Sequence, residues 1–455
     1  MAGAAPDEDL KLRASEHCEG GRSMTGPVRK SRREFLASAS LAAGATAALS
    51  FPAPAVAQRP KLVYWCYQFL KASDDSRANF AQEWAKKNNV DLQLTMVPWK
   101  EFMPKITAAI EAKATPDIIE SGAVELRGRG QLLEVTDIYG KLEKSYGGWV
   151  GSAPKFMREP DGRVHHILYG FQGFMLIARD DMLREAGVKP PPATWVELLE
   201  QAKKSQKLPR VFGLGIPVSN QTDSGVWEDV MKSYGARLAD EAGKRVILGD
   251  HKKDVWEFLD YFTEVWKSGT LPPGVATWDN TMNNSTYQAG KCVFVLNPIT
   301  VSLWLEANNP ELLAKTGHYT YPRGPKALIH PVNFGSRSIL KYTKVPELAK
   351  QFLWDSMEPG KMDREYSVSQ WGPVLKAYLA FDVWKKKPFM KGLVEMSQRG
   401  EPEGWPDVFN DAWREQATNT TTSRMLQRIV VDNWPRDKAF AEMLDVLNRI
   451  YGKYA

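Results

Sequence analysis

Residues 61–99 read KLVYWCYQFLKASDDSRANFAQEWAKKNNVDLQLTMVPW. The stretch opens on KLVYWCY, an apolar run of strand length. From Asp75 to Asn88 the period changes: Phe80 and Trp84 stand four apart, on one helical face. VDLQLTMVPW then alternates, with Leu92, Leu94 and Met96 on one side of a second strand. A helix follows, carrying Phe102, Ile106, Ala109 and Ile110. Pro104 is expected in its first turn, where a missing N–H costs nothing. PDIIES, residues 116–121, closes the pattern with a short strand. Strand, helix, strand, helix, strand is the order of a parallel sheet with helices on its faces. The fold class this predicts is α/β.

Toward the C-terminus the order changes. EPDGRVHHILYGF (159–171) reads as a turn at Pro160-Asp161-Gly162 feeding a strand. MLIARDDMLREAGV (175–188) is a strand running into a helix, and KPPPATWVELLEQAKK (189–204) a proline spacer before another. Thr194 and Glu197 have the T-x-x-E spacing of a capping box. Residues 225–270 read as mostly helical, with Trp256, Leu259, Tyr261 and Phe262 crowded together. YQAGKCVFVLNP (287–298) is a helix end, a glycine stop and a buried strand. HPVNFGSRSILKY (330–342) is a further strand, and VPELAKQFLWDSM (345–357) a helix. From Asp437 to Ile450, Phe440, Met443, Leu444 and Leu447 keep helical spacing.

Toward the N-terminus stands a different kind of segment. Ser31-Arg32-Arg33-Glu34-Phe35-Leu36 precedes a small, mildly apolar run, and Ala55-Val56-Ala57 has the A-x-A form of a cleavage site. Residues 1–57 are therefore expected to be a cleaved export signal. Arg32 and Arg33, followed by Phe35 and Leu36, favour the twin-arginine form over an ordinary secretory signal. The run is too weakly apolar for a membrane anchor. The expected location is periplasmic.

The full chain has 60 Lys and Arg against 54 Asp and Glu, a formal net charge of +6. The excess is spread thinly, without the basic block that marks a nucleic-acid binder. No nucleic-acid partner is expected, and a monomer is. Cys66 and Cys292 lie in separate apolar runs and read as two buried free thiols, with a single disulfide the alternative in an oxidising compartment. G-x-S-x-G, H-E-x-x-H and the phosphate-binding G-x-x-x-x-G-K-[ST] are missing from the sequence. His165 and His166 are adjacent and, on a strand, point to opposite faces, so they cannot share a metal. No catalytic residue, metal or cofactor is expected. Sixteen tryptophans are the compositional excess. Such rings present flat apolar faces on which the C–H faces of sugars stack.

Five segments, in order, carry a resemblance. They are TPDIIESGA (115–123), GRVHHILYG (162–170), RDDMLREAGVKPPPATWVELLEQAKK (179–204), STYQAGKCVFVLNP (285–298) and KVPELAKQFLWDSMEP (344–359). Together they resemble family-1 extracellular solute-binding proteins of ABC importers, the maltose-binding type. The third is the most specific, through its Gly-Pro-Thr-Trp-x-Glu-Leu frame. Leu168, and Ala178 with Arg179, depart from that family's usual Pro and Tyr-Asn. The resemblance implies two discontinuous α/β lobes joined by hinge strands, with a ligand cleft between them: a type II periplasmic binding protein. Lobe I would take 58–172 and 330–372, and lobe II 173–329 and 373–455. It also implies a non-enzymatic receptor that delivers a small solute to an ABC permease in the inner membrane.

Ligands of open α/β sheets bind at the carboxyl ends of strands. In lobe I those positions offer Trp65, Tyr67, Trp99, Glu120 and Ser121, with Gln172 at the hinge. Lobe II offers Asp223, Trp227, Trp278 and Asn297. The return strand offers Asn333 and Phe334, and Trp371 follows. Carboxylate, amide and indole together suit a polyhydroxylated solute, a sugar or sugar derivative. One alternative is an anion such as a glycerol phosphodiester, for which Arg127, Arg129, Arg323 and Arg337 would supply charge. The other is a secreted enzyme exported by the twin-arginine route. Converging arginines in the cleft would mark the anion; tryptophan beside carboxylate would mark the neutral sugar.

Overall fold

The computed structural model describes residues 59–455, apart from residues 152 and 160 and the side chain of residue 100. The arginine pair Arg32–Arg33 and the cleavage site at 55–57 lie outside the described residues. The strands, in chain order, are β1 (Lys61–Gln68), β2 (Asp91–Pro98), β3 (Ile118–Glu120), β4 (Ile167–Gln172), β5 (Met175–Arg179), β6 (Phe212–Leu214), β7 (Cys292–Asn297), β8 (Thr316–Tyr319), β9 (Pro331–Ile339) and β10 (Glu401–Pro402).

They form two sheets. In the first the order is β10-β9-β3-β1-β2, with β4 also on β9. β1 is parallel to β2 and to β3, as the opening pattern requires, while β9 runs antiparallel to β3 and β4. The second sheet has the order β6-β7-β5-β8. β7 is buried along its whole length, which is why its sequence is a continuous apolar run rather than an alternation. β2 is an edge strand and alternates exposed with half-buried positions.

Two apolar cores accompany the sheets, and the first also takes in Met175, Ile177, Cys292 and Val295 of the second sheet. Tyr64, Phe102, Ile106, Phe171 and Phe352 are buried in the first. Trp227, Phe258, Phe262, Phe294 and Leu447 are buried in the second. The helix face read from Phe80 and Trp84 is real, and both rings pack on Phe352. That helix is longer than expected, Lys71–Lys87. The helix Trp99–Glu111 begins directly after β2, so Pro104 is its sixth residue and lies past the first turn. Thr194 caps Trp195–Ser205 by accepting from the Glu197 amide at 3.1 Å, and Glu197 accepts from the Ala193 amide at 2.8 Å. The box closes one residue earlier than the usual form. Residues 225–270 hold two helices, Val226–Ser233 and Lys252–Lys267, with irregular chain between them. His166 precedes β4 and is buried, and its ring stacks on Phe334. Cys66 and Cys292 are buried free thiols, one in each sheet.

The chain passes between sheets after β4 and before β9, and after β10 it goes over to the second core. These passages lie side by side. His330 Nε2 donates to the Phe174 carbonyl at 3.1 Å, and β10 pairs with Pro331 and Val332 of β9. Gly173 is required at the first passage: a Cβ there would come within 2.9 Å of the Pro331 carbonyl. Val374, Leu375, Tyr378, Leu393 and Met396, in the stretch expected for lobe II, are buried in the first core. The helix Lys391–Arg399 lies against β4, and only from Ala412 onward does the chain enter the second core.

Candidate functional site

A cavity of about 430 Å³ opens where the chain passes between the sheets. That volume is in the range of small-ligand sites. Its walls come from both sides. Trp99, directly after β2, and Gln172, at the end of β4, come from the first sheet. Pro298 follows β7, and Thr222 and Asp223 lie in the loop before Val226–Ser233, all on the second side. Pro331, Asn333 and Glu403 come from the passages themselves. Strand ends supply the walls because their next residues leave the sheet and turn outward.

Of the residues named from sequence, Trp99, Gln172, Asp223 and Asn333 line this cavity. Trp99 is 52 % exposed, with its ring edge-on to Tyr67 at 5.8 Å. The Asp223 carboxylate accepts from Asn283 Nδ2 at 2.9 Å, and Asn333 Nδ2 donates to Glu403 at 3.1 Å.

The others lie elsewhere, for identifiable reasons. Glu120 is fully buried and accepts from Tyr64, Cys66, Arg77 and Arg337. Burial pushes its carboxyl up, but Arg77 and Arg337 outweigh this and hold it below the usual range. Tyr67 is buried behind Trp99, and Ser121 is in left-handed backbone with its amide on the Ser336 carbonyl. Trp65 and Phe334 pack against the first core. Trp371 is 2 % exposed and edge-on to Tyr169, while Trp278 is buried in the second core. Trp227 is buried too, its Nε1 donating to the Pro217 carbonyl at 2.8 Å. Asn297 is buried, and its amide donates to Asn284. Arg337 is taken up by Glu120, and Arg127, Arg129 and Arg323 are not among the lining residues.

Sequence reading missed most of the second wall. Glu228 and Asp229 stand in the first turn of Val226–Ser233, where acids meet the positive end of the helix. Phe409, Trp413 and Arg414 come from the segment leading into and along the helix Asp411–Thr418. Thr420, Thr422 and Ser423 open the helix Thr421–Val430. A signal existed for these last: Asn-Thr-Thr-Thr-Ser at 419–423, ahead of the apolar Met425-Leu426, is a helix-start composition.

The site is electrostatically uneven. Glu228 is well satisfied, accepting from Lys232 at 2.6 Å, Trp413 Nε1 at 3.1 Å and Gln416 Nε2 at 3.1 Å. Burial pushes the Glu403 carboxyl up to about 7, against the opposing pull of Arg414 and the Asn333 hydrogen bond. It pushes Asp223 up to about 6, with Asn283 opposing and Asp279 adding. Asp229 is raised well above its ordinary value, again by burial first, with Lys232 opposing and Glu228 and Glu403 adding. Among the described residues, no group of three or more His, Cys, Asp or Glu could hold a metal ion. No described helix is long and apolar enough to cross a membrane.

The family described as bacterial extracellular solute-binding protein matches residues 71–353. A protein of Brucella abortus strain 2308, named as a binding protein, is 22 % identical over 242 residues, 53 % of this chain. That match spans 58 % of the relative's own length. Maltose-bound MalE3 of T. maritima superposes with a TM-score of 0.73 at 18 % identity, over 86 % of this chain and 99 % of that one. The GacH receptor of Streptomyces glaucescens, solved unliganded and with acarbose, gives a TM-score of 0.72 at 15 % identity, over 87 % and 100 %. The sugar-binding protein MalE of Xanthomonas citri gives 0.72 at 16 %, over 87 % and 98 %. At these identities the likeness establishes the fold, that of type II periplasmic binding proteins.

Proposed function

We propose that this chain, which belongs to the bacterial extracellular solute-binding protein family, is a receptor for a sugar or sugar derivative that it delivers to an ABC import permease. One observation carries the reading. Where the chain passes between its two sheets, one cavity combines indole and phenyl side chains with carboxylates, amides and hydroxyls. Trp99 and Trp413 can stack on the apolar face of a sugar ring. Asp223 and Glu403 accept from hydroxyls, and Gln172 and Asn333 can both donate and accept. The Gln172 side-chain oxygen is buried and has no partner among the described residues, so an acceptor is left for a solute hydroxyl. Three structural relatives support a sugar: one was solved with maltose, one with acarbose, and one is named a sugar-binding protein.

The anionic alternative has no comparable support, because the arginines that would serve it are elsewhere. Capture outside the cytoplasm follows from reading residues 1–57 as an export signal, with a periplasmic receptor as the result. A thermal-shift screen across sugars, polyols, phosphodiesters and amino acids tests the proposal, since a solute that binds only the folded chain raises its melting temperature. Sugars or polyols should give the shift, and the bound solute should be recovered unchanged. A shift confined to phosphodiesters, or conversion of the solute, would overturn it.

A further inference from the structure

The acids that line the cavity outnumber what the protein itself supplies to neutralise them. Glu228 is answered by Lys232. Among the described residues, Asp223 and Glu403 receive side-chain hydrogen bonds only from the neutral amides of Asn283 and Asn333. Asp229 has no hydrogen-bond partner among the described residues. Arg414 is the one cation among the described lining residues, and its guanidinium is shared with Glu125 at 3.7 Å. The positive end of Val226–Ser233 offers a fraction of a charge to the two acids in its first turn. With a neutral sugar bound, these acids would have to keep protons or ionise without a counter-charge in a closed site, where ionised groups are costly.

A second observation points to a bound solute. Thr422 lines the same cavity, is 2 % exposed, and its hydroxyl has no partner among the described residues. A buried hydroxyl without a partner is rare unless something else completes it.

We propose that the solute carries a protonated amine on a hydroxylated ring, and so belongs to the amino sugars. The inference rests on the receptor reading above and narrows it. An ammonium has three N–H donors and no acceptor, which suits a pocket of carboxylates. Its hydroxyls would meet Thr422, Asn333 and Gln172. Indole faces such as Trp99 and Trp413 attract cations as well as C–H faces. Burial raises the carboxyls of Glu403, Asp223 and Asp229, with no cation at hydrogen-bond distance among the described residues to bring them back down. A cation entering would restore their ionisation, so binding near neutral pH releases protons.

Calorimetric titration of the full chain with glucose, glucosamine and glucuronate, and with cellobiose and its diamino counterpart, tests this. The amino member of a set should bind about tenfold more tightly or better, as charge-assisted hydrogen bonds replace neutral ones. Its binding enthalpy should vary with the ionisation enthalpy of the buffer, which needs no variant and reports the released protons. Asp223→Asn with Glu403→Gln should bring the preference close to unity. Neutral members binding as well or better would overturn the inference and leave the receptor reading standing. Glucuronate binding best would overturn it in favour of an anion. Binding by none would overturn both.

Discussion

Trp99 and Trp371 are the same residue type with opposite duties, and exposure separates them. Trp99 is half out in the cavity, whereas Trp371 is sealed against Tyr169 above Gly170, whose added Cβ would come within 2.5 Å of the Trp371 side chain. Trp371→Ala should therefore cost about 3–5 kcal/mol of stability in urea unfolding, as a large core deletion. Trp99→Ala should leave the unfolding midpoint nearly in place and weaken solute binding by about 1–3 kcal/mol. The reverse pattern would move the cavity's role elsewhere. Glu403 makes a second case at this scale. Arg414, Asn333 and Asp229 face it, and its carboxyl stands at about 7 in the fold against an ordinary 4.5. Between those values the folded chain holds a proton that the unfolded chain has released. The stability this proton brings is whole at low pH and is lost as pH rises through the window. His166, His318 and His330, held neutral by burial, pull the other way, so the test is a difference: from about pH 5 to about pH 7.5 the melting temperature of the ligand-free parent should fall relative to that of Glu403→Gln. A profile unchanged by the substitution would show that Glu403 ionises without cost.

Elements of the first sheet are tied by one carboxylate. Glu120 ends β3 and holds Tyr64 and Cys66 of β1, Arg77 of the helix Lys71–Lys87 and Arg337 of β9. Arg77 also reaches Asp74 at 2.6 Å and the Tyr67 carbonyl at 3.0 Å. Removing the carboxylate leaves two guanidinium groups buried with too little answering charge. Glu120→Ala should cost about 3–5 kcal/mol by urea unfolding. A loss under about 1 kcal/mol would mean that water or Glu365, 3.9 Å from Arg77, takes over the role. The same residue shows where sequence reading stops. Its place at a strand end was legible from PDIIES, and so was the β-α-β-α-β order, because periodicity is local. Its partners are 43 residues before it and 217 after it, and no local pattern reveals them. The strand-end rule located Trp99, Gln172 and Asn333, and the loop before Val226–Ser233 gave Asp223. It could not locate Trp413, Arg414 or Thr422, which reach the cavity from helices after the last passage between sheets. It also took Trp227, Trp278 and Trp371 for cavity walls, since exposure depends on what packs over a residue from far along the chain.

On the scale of the molecule, the adjoining passages between sheets are the place where one half can swing on the other. A solute can drive such closure only through a preference for the closed form, and a change from 1:99 to 99:1 needs about 5.5 kcal/mol. Most of that has to come from contacts inside the cavity. Away from the passages, Lys387 meets Glu306 of the helix Thr300–Asn308 at 2.5 Å, and Glu125, on the helix Ala123–Gly128 of the first side, meets Arg414, on Asp411–Thr418 of the second, at 3.7 Å. Glu125 and Arg414 are each about a third exposed, 27 % and 34 %. Solvent screening limits such a pair to about 1 kcal/mol at most. It can trim the closing equilibrium but cannot set it. Glu125→Gln should therefore weaken solute binding by no more than about fivefold and leave the melting temperature unchanged. Small-angle scattering should show an equal radius for the variant and the parent at saturating solute, and a slightly larger one for the variant without solute. An affinity loss of about a hundredfold would exceed what a screened pair can supply. Glu125 would then be acting on the solute through Arg414, and the pair would be part of the cavity's recognition rather than a brace between the halves.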